Sequence, residues 1–149
     1  MGLFGKKKPQ LTKEEKRIQG DYNMGIGYSS GIFPLKKNEA EAMVNMQRAA
    51  DAGYPKALYM MGEWYRDGLN VERNSAKAME YFQLAYDCED QDPKTAGLAA
   101  MGMGLIYHEG NGIEKDWEAA AMWYQRSLAL GNQLAEAGLR LLKKEENEG

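Results

Sequence analysis

A chain of 149 residues has room for one domain with a continuous core and is short for two of usual size. It is 44% apolar and 28% charged, a soluble globular composition, and its net charge of -3 divides unevenly: residues 1 to 17 carry six Lys and Arg against two Glu, the remainder thirteen against twenty. The acidic body argues against a nucleic-acid partner, which requires a contiguous basic face, and no apolar run approaches the roughly 18 residues of a membrane span, which argues against stable membrane insertion.

The start, MGLFGKKKPQ, has its charges after a very short apolar patch and does not read as a signal peptide. Gly2 invites an N-myristoyl reading, but Lys6 stands where that motif wants Ser or Thr. Residues 1–11 are expected to be a flexible basic tail. From Thr12 the pattern turns helical, with Thr12 and Glu15 spaced as a capping box and Ile18, Tyr22, Gly25 and Ile26 following. The first helix is expected to reach about Ser30.

A motif then repeats. Met24 to Gly31, Met61 to Gly68 and Met103 to Gly110 all read M-G-x-x-Y-x-x-G, at offsets of 37 and 42 residues. A period of this size is the signature of stacked helical hairpins. Met and Tyr four apart share one helix face, the Gly between them lets a neighbouring helix approach, and the final Gly (Gly31, Gly68, Gly110) is a helix stop. After each stop the chain re-enters a helix at Asn38, Asn74 and Asp116, residue types preferred at N-caps. The second helices align as AMVNMQ, AMEYFQ and AAMWYQ from Ala42, Ala78 and Ala120, small residues beside large ones as tight helix packing requires.

The first and third of these helices end at Gly53 and Gly131, whereas the middle one runs into an acidic insertion. Its Asp87, Glu89, Asp90 and Asp92 lack the glycine and terminal Glu of a calcium-binding helix–loop–helix, so a solvated loop is expected and no metal. Asp92-Pro93 restarts the helix as N-cap and N1. Gly131-Asn132-Gln133-Leu134-Ala135 matches Gly53-Tyr54-Pro55-Lys56-Ala57, so a last helix begins near Gln133 and ends in charged residues, as a solubilising cap should. The expected organisation is one domain over 12–142, with repeats at about 18–53, 55–92 and 93–131, a capping helix over 132–145 and a flexible end over 146–149. A single cysteine, Cys88, forms no intramolecular disulfide or zinc site and points to a reducing, cytoplasmic compartment.

These residues resemble the Sel-one-like repeat family, helical-hairpin relatives of the tetratricopeptide repeats. The third repeat fits best, with Gly110, Gly112, Ile113, Asp116, Ala120, Trp123, Tyr124 and Gly131 at family positions. The second has Asn70, Asn74 and Tyr81 as mild departures, and the first is eroded in its turn, Gly31 to Leu35, with Asn45 where Trp is usual. The resemblance implies an all-α superhelical solenoid acting as an adaptor or regulatory scaffold, often bacterial, whose first helices line a concave face that accepts a peptide or protein.

First-helix positions outside the packing stripe fall at Tyr22, Ile26 and Ser29, at Tyr59, Glu63 and Arg66, and at Met101, Leu105 and His108. Each set steps i, i+4, i+7 and forms one face. Aromatic and Arg anchors typically dominate binding energy, so these residues are the candidate partner-binding surface. The alternative for the apolar members is packing against the next repeat, Tyr59 first among them. A catalytic reading finds no G-x-S-x-G, H-E-x-x-H or P-loop and no second His; Glu109 beside His108 points about 100° away around the helix. No enzyme activity and no cofactor are expected. A self-associating module that uses exposed terminal repeats remains the second functional class.

Overall fold

The computed structural model describes residues 10–88 and 92–149. Over these the chain forms α1 (Lys13–Ser30), α2 (Glu39–Asp51), α3 (Pro55–Asp67), α4 (Ser75–Asp87), α5 (Pro93–Glu109), α6 (Trp117–Ala129) and α7 (Ala135–Glu148), with no strand. α1–α2, α3–α4 and α5–α6 are hairpins; each second helix also packs on the first helix of the next unit, and α7 closes the stack against α6. Residues 1–9, with the myristoylation reading, and Glu89 and Asp90 of the acidic insertion lie outside the described residues.

The helix boundaries follow from backbone groups that need partners. Thr12 and Glu15 form the reciprocal capping box, and the side chains of Asn38, Asn74, Asp92 and Asp116 each accept from the backbone N–H three residues on. At the other ends Gly31, Gly68 and Gly110 adopt φ of 64°, 70° and 65°, a left-handed conformation that costs glycine nothing. α7 begins two residues later than expected and stays helical to Glu148, so 146–148 belong to the cap.

Packing is built around one second-helix position. Ala42, Ala78 and Ala120 are fully buried, and so are Met46, Phe82 and Tyr124 one turn on. A Cβ added at Gly62 would stand 2.5 Å from the Phe82 ring, and one at Gly102, on the next first helix, 2.6 Å from it. Tyr124 is held in the same way between Gly104 and Gly138, at 2.6 and 2.8 Å. Each ring is therefore clasped by two glycines from successive first helices, and burying such a side chain contributes about 1.5–3 kcal/mol. In the first repeat the flexible Met46 replaces the ring; it meets Gly25 on one side, and Met60 stands where the second glycine would be.

The ends of the stack differ from its middle. Met61 and Met103 are fully buried, but the equivalent Met24 is 38% exposed, because no preceding helix among the described residues packs on that side of α1. The packing stripe of the repeated motif therefore leaves Met24 at its edge. The eroded first turn has a use here: a Cβ at Gly27 would stand 2.6 Å from Leu35 Cδ1, so the turn folds a leucine onto the outer side of α1. At the far end Arg140 takes the position of Gly62 and Gly104, and it pairs with Glu136 at 2.7 Å. A charged side chain there leaves no seat for a further clasped ring.

Candidate functional site: the first-helix face

Tyr22 and Ile26 emerge half-buried on α1. The Tyr22 ring meets Tyr54, at the start of α3, edge to face with centroids 5.3 Å apart, and burial pushes its phenol pKa up. Ile26 lines a cleft of 400 Å³ with Ile32, Phe33 and Leu35 of the eroded turn. Ser29 receives a hydrogen bond from Asn70 Nδ2 at 2.7 Å, which ties the first repeat to the turn of the second.

Tyr59, Glu63 and Arg66 come together as a half-buried polar row on α3. Arg66 Nη1 lies 2.8 Å from Glu63 Oε1, and its Nε donates to Asp67 Oδ1 at 2.9 Å. Burial raises the Glu63 pKa and outweighs the nearby Arg66 guanidinium; burial followed by the Glu63 charge raises that of Tyr59. Two carboxylates around one guanidinium leave this row one net negative charge. The Tyr59 ring also lies 6.0 Å from that of Phe82, so this residue serves both the core and the face.

The third row corrects the sequence expectation. Met101 and Leu105 pack against the cluster that α7 closes, around Ala120, Tyr124, Ala135 and Leu142. His108 is buried at 9% exposure, with Nδ1 3.1 Å from Tyr124 Oη and Nε2 3.3 Å from Glu145 Oε2. It is a clasp for α7 and does not offer a free contact. The reason is that α7 is itself a fourth first helix and packs on α5 as α5 packs on α3.

Extending the match of Gly131 with Gly53 puts Ala137 in the column of Tyr59, Leu141 in that of Glu63 and Leu134 in that of Lys56. Leu134 and Leu141 are 65% and 54% exposed. With half-buried Leu98, Met101 and Leu105 they make the α5–α7 half of this face apolar, while the α3 row is polar. The sequence reading treated the last helix only as a cap and missed these residues, although its own alignment pointed to them.

Stacked hairpins with glycine stops, ring-and-glycine packing and a continuous first-helix face define a helical-repeat solenoid. The Sel1 repeat model matches residues 18–54, 55–90 and 97–132, and the chain belongs to the Sel1 repeat family. The chain is 34% identical over 132 residues to the chitin synthase regulator SKT5 of Saccharomyces cerevisiae, covering 86% of this chain and 18% of that protein. It is 29% identical over 104 residues to the DAP3-binding cell death enhancer 1 of Rattus norvegicus, 70% of this chain and 19% of that protein. The chain thus spans about a fifth of these relatives.

Among solved structures it is similar to a Sel1 repeat protein from Oxalobacter formigenes, with TM-score 0.71 and 28% identity over 88% of this chain and 51% of that one. It is also similar to c5321, a protective antigen of uropathogenic Escherichia coli with an SLR fold, with TM-score 0.69 and 26% identity over 82% of this chain and 25% of that one. Sel1 repeats are a non-catalytic protein-interaction fold, and the relatives support a general role as a protein-interaction scaffold. No helix among the described residues is long and apolar enough to cross a membrane.

Proposed function

We propose that the protein is a cytoplasmic, non-enzymatic adaptor that holds a peptide or protein segment on the first-helix face, the concave side of its solenoid. The observation that carries this reading is the division of that face: a polar row of Tyr59, Glu63 and Arg66 beside an apolar area ending in the exposed Leu134 and Leu141. Solvation alone gives no reason for an exposed leucine at the N-cap of α7 and a second one seven residues on, in a helix whose other exposed positions are charged, polar or small. The partner segment lays apolar side chains on α5 and α7 and polar ones on α3. Tyr22 and Ile26 extend the surface at its first-repeat end. SKT5 is a chitin synthase regulator, and such a role is consistent with a module that acts by holding other proteins.

A photo-crosslinking amino acid placed at Ala137, against the same probe at Met122 on α6, tests this in native cells. The adaptor reading expects a discrete crosslinked species from Ala137 and none from Met122. Equal labelling from both positions contradicts it. Self-association through terminal repeats is the second reading, favoured by Phe33 at 93% exposure and Ile32 at 56% on the first-repeat end. Light scattering separates the two, since that reading requires a concentration-dependent rise in mass that Phe33→Ser removes.

A further inference from the structure

On the opposite, second-helix side, a groove of 560 Å³ runs between α2 and α4, floored by Leu58 and Tyr65 and edged by Asp51, Glu80 and Leu84. Its polar wall is already set. Tyr81 Oη donates to Gln47 Oε1 at 3.0 Å, and Gln47 Nε2 donates to Asp51 Oδ1 at 2.7 Å, which fixes the carboxylate at the groove edge. The Tyr65 and Tyr81 rings stack 5.7 Å apart at an interplanar angle of 9°, and Lys77 Nζ lies 5.2 Å from the Tyr65 centroid. Asp51 and Glu80 face a single cation, Lys77, so the groove is one charge negative. Beside them Leu84 is 55% exposed.

The same positions one repeat later show what the aromatic ring accepts. Gln83 Nε2 donates to Asp87 Oδ2 at 2.8 Å, as Gln47 does to Asp51. The aromatic residue there is Trp123, and the residue in the place of Leu84 is Arg126, whose guanidinium carbon lies 4.6 Å from the Trp123 ring centroid. There the chain supplies its own guanidinium to the aromatic face. In the α2–α4 groove the carboxylate and the aromatic ring are retained, and an exposed leucine stands where the arginine would be.

We propose that the α2–α4 groove is a second docking site, which takes an arginine side chain of a basic partner peptide with an apolar residue beside it. The guanidinium lies along the Tyr81 ring and bonds Asp51 and Glu80, and the apolar neighbour rests on Leu84. Arginine suits the site better than lysine because its planar fork both stacks on a ring and bridges carboxylates. This site uses no residue of the first-helix face, so either surface can fail without the other.

The test titrates the full chain with the synthetic heptapeptide Ala-Ala-Leu-Arg-Leu-Ala-Ala and follows backbone amide shifts by NMR. Saturable shifts are expected at Asp51, Gly53, Glu80 and Leu84. Replacing the peptide arginine with glutamine, or combining Asp51→Asn with Glu80→Gln, is expected to weaken binding about tenfold. Leu84→Arg, which supplies the guanidinium in cis as Arg126 does, is expected to block the peptide. The proposal is overturned by unsaturable shifts spread over all acidic surface, by equal binding of the glutamine peptide, or by binding unchanged in these variants. It is also overturned if binding appears only after removal of residues 1–9, which would assign the groove to the chain's own basic start, or if a wild-type dimer becomes monomeric in the double variant.

Discussion

Tyr124 occupies the space that a side chain at Gly104 would need: a Cβ there would stand 2.6 Å from Tyr124 Cδ1 and 3.3 Å from the Ala120 carbonyl oxygen. The ring is fully buried, and Gly138 closes its other side, so it has nowhere to move. Gly104→Ala is therefore expected to cost about 1–3 kcal/mol by overpacking. Gly20→Ala, on α1 with nothing within 4 Å of the new methyl group, is expected to stabilise by about 0.5–1 kcal/mol through helix propensity. Urea denaturation of both variants checks the pair, and equal effects would show that the clasp is not rigid.

Asp92 sets the start of α5, accepting from the Thr95 backbone N–H at 2.8 Å and from Thr95 Oγ1 at 2.9 Å. The Thr95 backbone bond is the main reason that its pKa is lowered, against some loss from burial. Asp92→Ala is expected to cost about 1 kcal/mol at neutral pH. Because the folded pKa lies below the unfolded one, the carboxylate stabilises above about pH 4 and its contribution is lost as pH falls through the folded value. The gap between wild type and Asp92→Ala should narrow on acidification, and a gap constant from pH 7 to pH 2 would contradict this assignment.

The Tyr124 hydroxyl meets His108 Nδ1 at 3.1 Å, and burial, helped by the Glu109 and Glu145 carboxylates, pushes its pKa up to about 12. A folded value above the unfolded value of about 10 means that the stabilisation is complete below pH 10 and is lost as pH rises through the folded value. Tyr124→Phe is expected to cost about 1 kcal/mol at neutral pH, since it strands the buried imidazole, and to lose less stability than wild type between pH 10 and 12. Thermal melts across that range check it. Parallel decline of the two proteins would place the alkaline sensitivity elsewhere.

Most of the fold was legible in the sequence because glycine stops and Asn or Asp N-caps are local devices. Their signal does not depend on what packs against them, and all three repeat stops and all three re-entry caps fall where their residues required. The clasp was only half legible. The sequence marks Gly62 and Gly104 as places of close approach, but that the approaching group is the ring of Phe82 or Tyr124, with Gly102 or Gly138 behind it, depends on the next repeat.

For the candidate site, the helical register of the rows was readable and their environments were not. His108 stood among the candidates because the helix that buries it begins only at Ala135 and the carboxylate it meets, Glu145, comes later still. Leu141 was left out of the candidate face because a final helix with a charged end reads as a cap. Met24 misled for the opposite reason: its motif is intact, but its side chain lacks the neighbour that buries Met61 and Met103.

The central claim is that the first-helix face holds a protein segment, and paired affinity capture from native cells tests it most directly. Wild type is compared with a variant combining Leu134→Asp, Leu141→Asp and Arg66→Ala. The two leucines are more than half exposed, so their replacement leaves the helical fold intact, and Arg66→Gln in place of Arg66→Ala controls for the half-buried Glu63. Hot-spot losses of about 2 kcal/mol correspond to roughly thirtyfold in affinity. The account predicts that a specific partner recovered with wild type is lost from the variant while its circular dichroism and melting temperature stay close to wild type. Undiminished recovery of the same partner with the folded variant would contradict it.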